Sequence, residues 1–268
     1  MSSLGEMIGQ GRTAEVYAWG DGKILKLYRE GFPTSWVDYE FRVAQAVNEA
    51  GVQAPLAYER VSTDGREGIV YERLEGGTLL EALHIGWSPQ QIGEALADLH
   101  AGMHAVEEKN EWVPSLRARL ESEIAGAQGV SEDVRAQVLD LLANLSDGRA
   151  LLHGDFHPEN VLLTTTRGPV VIDWVTVVTG HPLADVARTS LLLSLAQLPP
   201  GLDGNPVIEA MRQTIHDAYL ARYQEVTGTT PADLLPWQIV SAASRLSESL
   251  PDAELERVRG FLEANLNK

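Results

Sequence analysis

The stretch Leu151-Leu152-His153-Gly154-Asp155-Phe156-His157-Pro158-Glu159-Asn160-Val161-Leu162-Leu163, followed by Val170-Val171-Ile172-Asp173-Trp174, decides how the rest of the chain is read. Asp155 and Asn160 stand five positions apart, ahead of a hydrophobic run of strand length, and Asp173 follows a second such run. Carboxylates at the ends of two short strands, inside a helix-rich region, are oddly placed for a purely structural role. Asn160 and Asp173 offer hard oxygen donors of the kind magnesium takes together with phosphate groups. Asp155 can accept the proton of a hydroxyl, and the three together fit the template of phosphoryl transfer. A rival reading uses His153 and His157, since a His-x-Asp-x-His cluster can hold a transition metal. It leaves Asn160, Asp173 and the glycine-rich segment described next unexplained.

Working toward the N-terminus, Gly9-Gln10-Gly11-Arg12-Thr13-Ala14-Glu15-Val16-Tyr17 places two glycines before a strand. That arrangement lets backbone N–H groups approach a phosphate, although a plain structural turn accounts for it as well. No Gly-Lys-Ser/Thr follows, so it is not a Walker A loop, and a strand rather than a helix follows, so it is a poor dinucleotide fingerprint. Glu15–Trp19 and Lys23–Tyr28 read as a hairpin turned by Gly20-Asp21-Gly22, and Gly68–Arg73 reads as a further strand. A helix is expected over Asp38–Glu49, ended by Gly51. Lys26, flanked by apolar residues, is either solvent-facing or an inward charge in need of a partner, and Glu40 is the natural candidate.

Beyond Gly76 the period becomes helical. Ser88-Pro89-Gln90-Gln91 is a capping box with proline at the first helical position. Ile92, Leu96, Leu99 and Met103 then mark one face of a helix. Further helices are predicted over Leu116–Ile124, Ser131–Leu145, Ala184–Leu198, Pro206–Thr227, Pro236–Leu250 and Ala253–Leu266. The strand-like island Val161–Leu163 and Val170–Ile172 lies among them. The predicted fold is therefore α+β, with a small β-rich lobe over residues 1–75 and a large helical lobe over 76–268.

Composition narrows the function classes. The 268 residues carry 21 Lys plus Arg against 38 Asp plus Glu, a net charge of −17. Such a chain is a poor partner for nucleic acid or an anionic membrane, because neutralising phosphates needs basic groups. The acidity is compatible with a cationic substrate and equally with solubility alone. The absence of cysteine removes disulfides, zinc-thiolate sites and thiol nucleophiles. Neither a signal-like start nor an apolar run of membrane-spanning length is present, so a cytoplasmic location is expected.

His-Gly-Asp-Phe-His-Pro-Glu-Asn followed by Ile-Asp-Trp resembles the signature of the aminoglycoside phosphotransferase and choline kinase group, which has a bilobal protein-kinase-like fold. The resemblance spans Ile8 to Arg188. It implies an O-phosphotransferase that uses Mg2+ and ATP (or GTP) on a small hydroxylated acceptor. On the same resemblance, Gly9, Gly11, Arg12 and Thr13 would cover the nucleotide phosphates. Lys26 would hold the α- and β-phosphates and pair with Glu40. Glu72 and Leu74, in Tyr71-Glu72-Arg73-Leu74, would present main-chain groups to adenine. Asp155 would orient and deprotonate the acceptor hydroxyl, Asn160 and Asp173 would hold magnesium, and Asp185 would brace the catalytic loop.

Departures from protein kinases are informative. Ala14 stands where many have a third glycine, Gly154 where an arginine would meet a phosphorylated loop, and Trp174 where phenylalanine is usual. Asp173 and Asp185 are only 12 positions apart, which leaves no room for a peptide-docking activation segment and favours a small-molecule acceptor. A non-catalytic nucleotide-binding module on the same fold is the alternative, but Lys26, Glu40, Asp155, Asn160 and Asp173 are all present. For the acceptor, Asp217, Glu225, Glu248, Asp252 and Glu254 could form an acidic pocket, or Trp174, Tyr219, Tyr223 and Trp237 an aromatic cage. Solvated helix faces and core packing explain the same residues. His100 and His104, four apart on one helix without the following Glu of a zinc protease, are read as structural.

Overall fold

The computed structural model describes residues 4–108, 110 and 112–266. They form two compact units, one of the described residues within 4–79 and 159–175 and one of those within 80–158 and 176–266. The division departs from the expected boundary near residue 75 and from two segments contiguous in sequence. The reason is hydrogen bonding. Strand β6 (Gly76–Thr78) pairs antiparallel with β8 (Val161–Thr164), and Leu79 N–H donates to Val161 O at 2.7 Å. The hairpin that carries the candidate metal ligands therefore belongs to the first unit.

That unit is built on a five-stranded antiparallel sheet in the order β1-β2-β3-β5-β4, with β1 Met7–Gln10, β2 Ala14–Ala18, β3 Lys23–Tyr28, β4 Ala57–Thr63 and β5 Arg66–Glu72. Side chains of β3 alternate between faces, as the pleat requires. Leu25 and Leu27 pack with Val70 on one side. Tyr28 packs with Ala14, Ile69 and Val37 on the other, where helix α1 (Thr34–Glu49) lies. Lys26 shares the period of Tyr28 and so points toward α1. Helix α1 begins four residues before the expected Asp38 and ends ahead of Gly51, whose φ of 78° is the left-handed conformation expected there. A second sheet, β6-β8-β9 with β9 Gly168–Val171, completes the unit.

The second unit is helical: α2 Pro89–His104, α3 Leu116–Gly126, α4 Glu132–Asn144, α5 Pro182–Leu195, α6 Pro206–Thr227, α7 Pro231–Arg245 and α8 Asp252–Asn265. Its short strands β7 (Ala150–Leu152) and β10 (Val178–Gly180) pair antiparallel, and β7 leads into the His153–Asn160 sequence. Ser88 and Gln91 form the expected capping box on α2. Helix α7 starts at Pro231 rather than the expected Pro236, because Thr230 and Asp233 form a second capping box. Pro236 lies inside the helix at the cost of one backbone bond. Among the described residues, no helix is long and apolar enough to cross a membrane.

Candidate active site

In the first unit, Lys26 Nζ donates to Glu40 Oε1 at 2.7 Å, which joins the two residues singled out from sequence. Tyr71 OH donates to the same carboxylate at 3.2 Å. The Tyr28 ring lies 5.6 Å from Lys26 Nζ. Burial, and then the charge of Glu40, raises the Tyr28 and Tyr71 phenols far above their usual range, so both stay neutral; Asp173 adds to the same effect. Neither tyrosine has a local sequence signature, because β3 and β5 bring them together only in the sheet.

The glycine-rich segment divides in two. Gly9 lies in β1 opposite Val16, and Gly11, Arg12 and Thr13 form the turn, closed by Gly11 N–H to Ala14 O at 2.8 Å. Arg29, unnoticed in the sequence, fixes that turn by donating to Gly11 O at 2.9 Å and to Arg12 O at 3.1 Å. Glu72 ends β5. Its N–H is engaged by Leu56 O at 2.8 Å and its carboxylate by Arg167, in the turn between β8 and β9. Leu74 follows just outside the strand.

Asn160 and Asp173 sit at opposite arms of the β8–β9 hairpin. Ile172 N–H donates to Asn160 O at 2.9 Å, which holds the two donor-bearing segments side by side. Asp173 has φ of 63°, a left-handed conformation uncommon for a residue with a Cβ. Trp174, the next residue, is anchored through Nε1–H to Val171 O at 2.9 Å. One amide oxygen and one carboxylate, fixed by a shared backbone bond, fit magnesium, which keeps several water or phosphate oxygens of its own.

In the second unit, several side chains hold the main chain around Asp155. Asp185, at the first turn of α5, accepts His153 N–H at 2.6 Å and Gly154 N–H at 3.0 Å. Thr176 donates to His153 O at 2.7 Å, Thr189 donates to Phe156 O at 2.9 Å, and Asp155 N–H donates to His153 Nδ1 at 3.2 Å. Gly154 has φ of 77°, and a Cβ there would meet Thr176 O at 2.6 Å, so only glycine fits. The Asp155 carboxylate itself is 36% exposed, with His157 Nε2 at 3.8 Å. Burial pushes its carboxyl up, but His157, Arg188 and His153 outweigh burial and hold it below the usual carboxylate range.

A small cavity next to Gly154 is lined by Arg119, Glu123, Arg188, Trp237 and Ser241. Arg188 was not foreseen from sequence; it pairs with Glu248 at 2.7 Å. Of the acids considered for a cationic pocket, Glu254 pairs with Arg245, Glu225 with Arg222 at 2.9 Å and Asp217 with His216 at 3.1 Å, while Glu248 pairs with the cavity residue Arg188. Trp174, Tyr219, Tyr223 and Trp237 are all buried.

An N-terminal antiparallel sheet followed by a mostly helical region, with these loops, defines an α+β kinase-like fold. The chain belongs to the phosphotransferase enzyme family (APH), which matches residues 5–226. Among solved structures, a thermostable mutant of aminoglycoside phosphotransferase APH(4)-Ia, in ternary complex with AMP-PNP and hygromycin B, aligns at TM-score 0.68. It is 17% identical over 99% of this chain and 93% of that one. Choline kinase LicA from Streptococcus pneumoniae aligns at TM-score 0.62, 16% identical over 100% of this chain and 94% of that one. Similar curated proteins are Acyl-CoA dehydrogenase family member 11 of Homo sapiens, 28% identical over 58% of this chain, and of Rattus norvegicus, 26% identical over 78% of it. The matched regions are 23% and 30% of those proteins, so the chain spans roughly a quarter of their length.

Proposed function

We propose that this protein transfers the terminal phosphoryl group of ATP (or GTP) to the hydroxyl of a small molecule, with magnesium. The observation that carries the reading is Asp155: a charged, partly exposed carboxylate on a loop whose main chain is fixed by Asp185, Thr176 and Thr189. Lys26, oriented by Glu40, would bind the nucleotide phosphates, with the turn at Gly11–Thr13 covering them. The main chain at Glu72 and Leu74 would receive adenine. Asn160 and Asp173 would hold magnesium, which neutralises phosphate charge when bound. Asp155 would accept a hydrogen bond from the acceptor hydroxyl, orient its oxygen for in-line attack and take its proton. Catalysis of this kind rests on positioning and charge stabilisation.

The acceptor class follows less directly. The wall beside Gly154 carries charges of both signs, Arg119 and Arg188 with Glu123, and hydroxyl groups at Ser241 and Ser244, with Glu248 paired to Arg188. A polar, hydroxylated acceptor suits it, whether amino-alcohol, aminoglycoside or sugar in type. The relevant experiment measures magnesium–nucleotide binding and then screens phosphate transfer to hydroxyl compounds of different charge. Binding of Mg–ATP or Mg–GTP followed by phosphorylation of at least one acceptor is expected. Absence of nucleotide binding would overturn the reading.

A further inference from the structure

Beneath the catalytic loop, α2 and α6 bring four side chains into register around Asp185. His100 Nε2 lies 3.1 Å and His104 Nε2 3.5 Å from Asp185 Oδ2, the oxygen that also accepts His153 N–H. On the far side of each ring, His100 Nδ1 is 2.7 Å from Tyr219 OH and His104 Nδ1 is 2.8 Å from Tyr223 OH. Both pairs are spaced by four residues on their helices, so the two contacts repeat one helical turn apart. The imidazoles lie 4.1 Å apart between centroids. The side chains of His100, His104 and Asp185 are 0%, 3% and 1% exposed.

We propose that His100 and His104 are positioning residues for Asp155, each carrying its proton on Nε2 and donating it to Asp185 at the end of a tyrosine–histidine arm. The proposal rests on the phosphotransferase reading for the word positioning, but its proton assignment does not.

The donor and acceptor count leads to that assignment. Burial raises the Asp185 carboxyl, but the histidine hydrogen bonds outweigh it and hold Asp185 well below the usual range. An ionised carboxylate only accepts, so both facing Nε2 atoms must donate. Burial lowers the His100 imidazolium to about 3, so this ring is neutral and its Nδ1 accepts from Tyr219 OH. The buried negative charge is thus compensated by main-chain N–H groups and two imidazole N–H groups. Loss of an arm leaves the carboxylate short of a donor in a medium where an unmet charge is expensive. Its grip on His153 and Gly154 then loosens, and Asp155 drifts from its reactive position. Nucleotide binding, which uses other residues, is spared.

The three ligand-type atoms are also close enough together to surround a metal ion, which would require bare Nε2 atoms on both rings. The two arrangements differ in a measurable way. In a long-range 1H–15N spectrum of the full chain labelled at histidine, at neutral pH, His100 and His104 are expected to be protonated at Nε2 and unchanged by added Zn2+. A bare Nε2 on either ring, or zinc-induced shifts of both, overturns the proposal. In phosphate-transfer assays, His104→Leu is expected to lower kcat by about tenfold with the nucleotide KM unchanged. His104→Gln, whose amide N–H can replace Nε2–H, is expected to stay within about threefold of the parent. Equal rates for the parent and both variants overturn the positioning role, as does a parent chain that transfers no phosphate. In that last case the spectrum still decides the proton assignment.

Discussion

At the scale of single residues, Asp173 and Asp185 do different work and should fail differently. Asp173 is placed by a left-handed turn, next to the residue whose N–H bonds Asn160 O, and is the proposed magnesium ligand. Asp173→Ala is expected to weaken Mg–ATP binding by at least about tenfold, the range seen when a metal-site residue is lost, as read by calorimetry. Unchanged affinity would remove the metal assignment. Asp185 is a buried anion with a depressed pKa, so the sign of its linkage is clear. Its contribution to stability is fully present above the unfolded carboxylate value of about 3.9 and is lost only as pH falls through its lower folded value. Thermal melts are therefore expected to show no Asp185-dependent loss from pH 7 down to about 4. Asp185→Asn, which cannot accept from every donor around it, is expected to cost about 3–5 kcal/mol at neutral pH. A melt of that variant at the parental temperature would contradict the network. Much of this was legible in advance: Lys26 needed a partner and Glu40 supplied it, and Asp185 was expected to accept loop N–H groups. Tyr28, Tyr71, Arg29 and Arg188 were not legible, because each acts across strands or helices distant in sequence and leaves no spacing to read.

At the scale of elements, the local rules held where a signal was local. The Gly20-Asp21-Gly22 hairpin, the Ser88 capping box and the bounds of α6 follow from turn and cap chemistry. Strands β1 and β4 escaped notice. Both are the outer strands of their sheet, and both carry a register irregularity. An edge strand need not show apolar alternation, and Ala57–Thr63 is polar at most positions. Helix α7 starts ahead of Pro236, the start expected from sequence, because Thr230 and Asp233 supply an earlier cap. The contact of α2 with α6 depends on Gly93, where a Cβ would meet Ile215 O at 2.4 Å and Tyr219 N at 2.8 Å. Gly93→Ala must push the helices apart, and the His–Tyr pairs with them. A loss of roughly 1–3 kcal/mol is expected in urea unfolding. A variant as stable as the parent would show that the helices tolerate a wider spacing.

At the scale of the whole molecule, the charge of −17 has acquired local detail. Near the second unit's cavity, Glu123 is paired with Arg119 and Glu248 with Arg188, while the buried Asp185 is met by histidines and main-chain N–H groups. The order of the chain explains why one short stretch was so informative: between Asp155 and Asn160 it passes from the second compact unit to the first. The proposed proton acceptor and the proposed metal ligands are thus neighbours in sequence while belonging to differently built parts. The measurement that bears most directly on the proposed activity is transfer of labelled γ-phosphate from Mg–ATP to a panel of hydroxyl compounds, by the parent chain and by Asp155→Ala. The parent is expected to phosphorylate an acceptor. The variant is expected to lose about a hundredfold or more in kcat, the scale of a positioned general base, while binding nucleotide as before. Near-parental turnover by Asp155→Ala would contradict the mechanism.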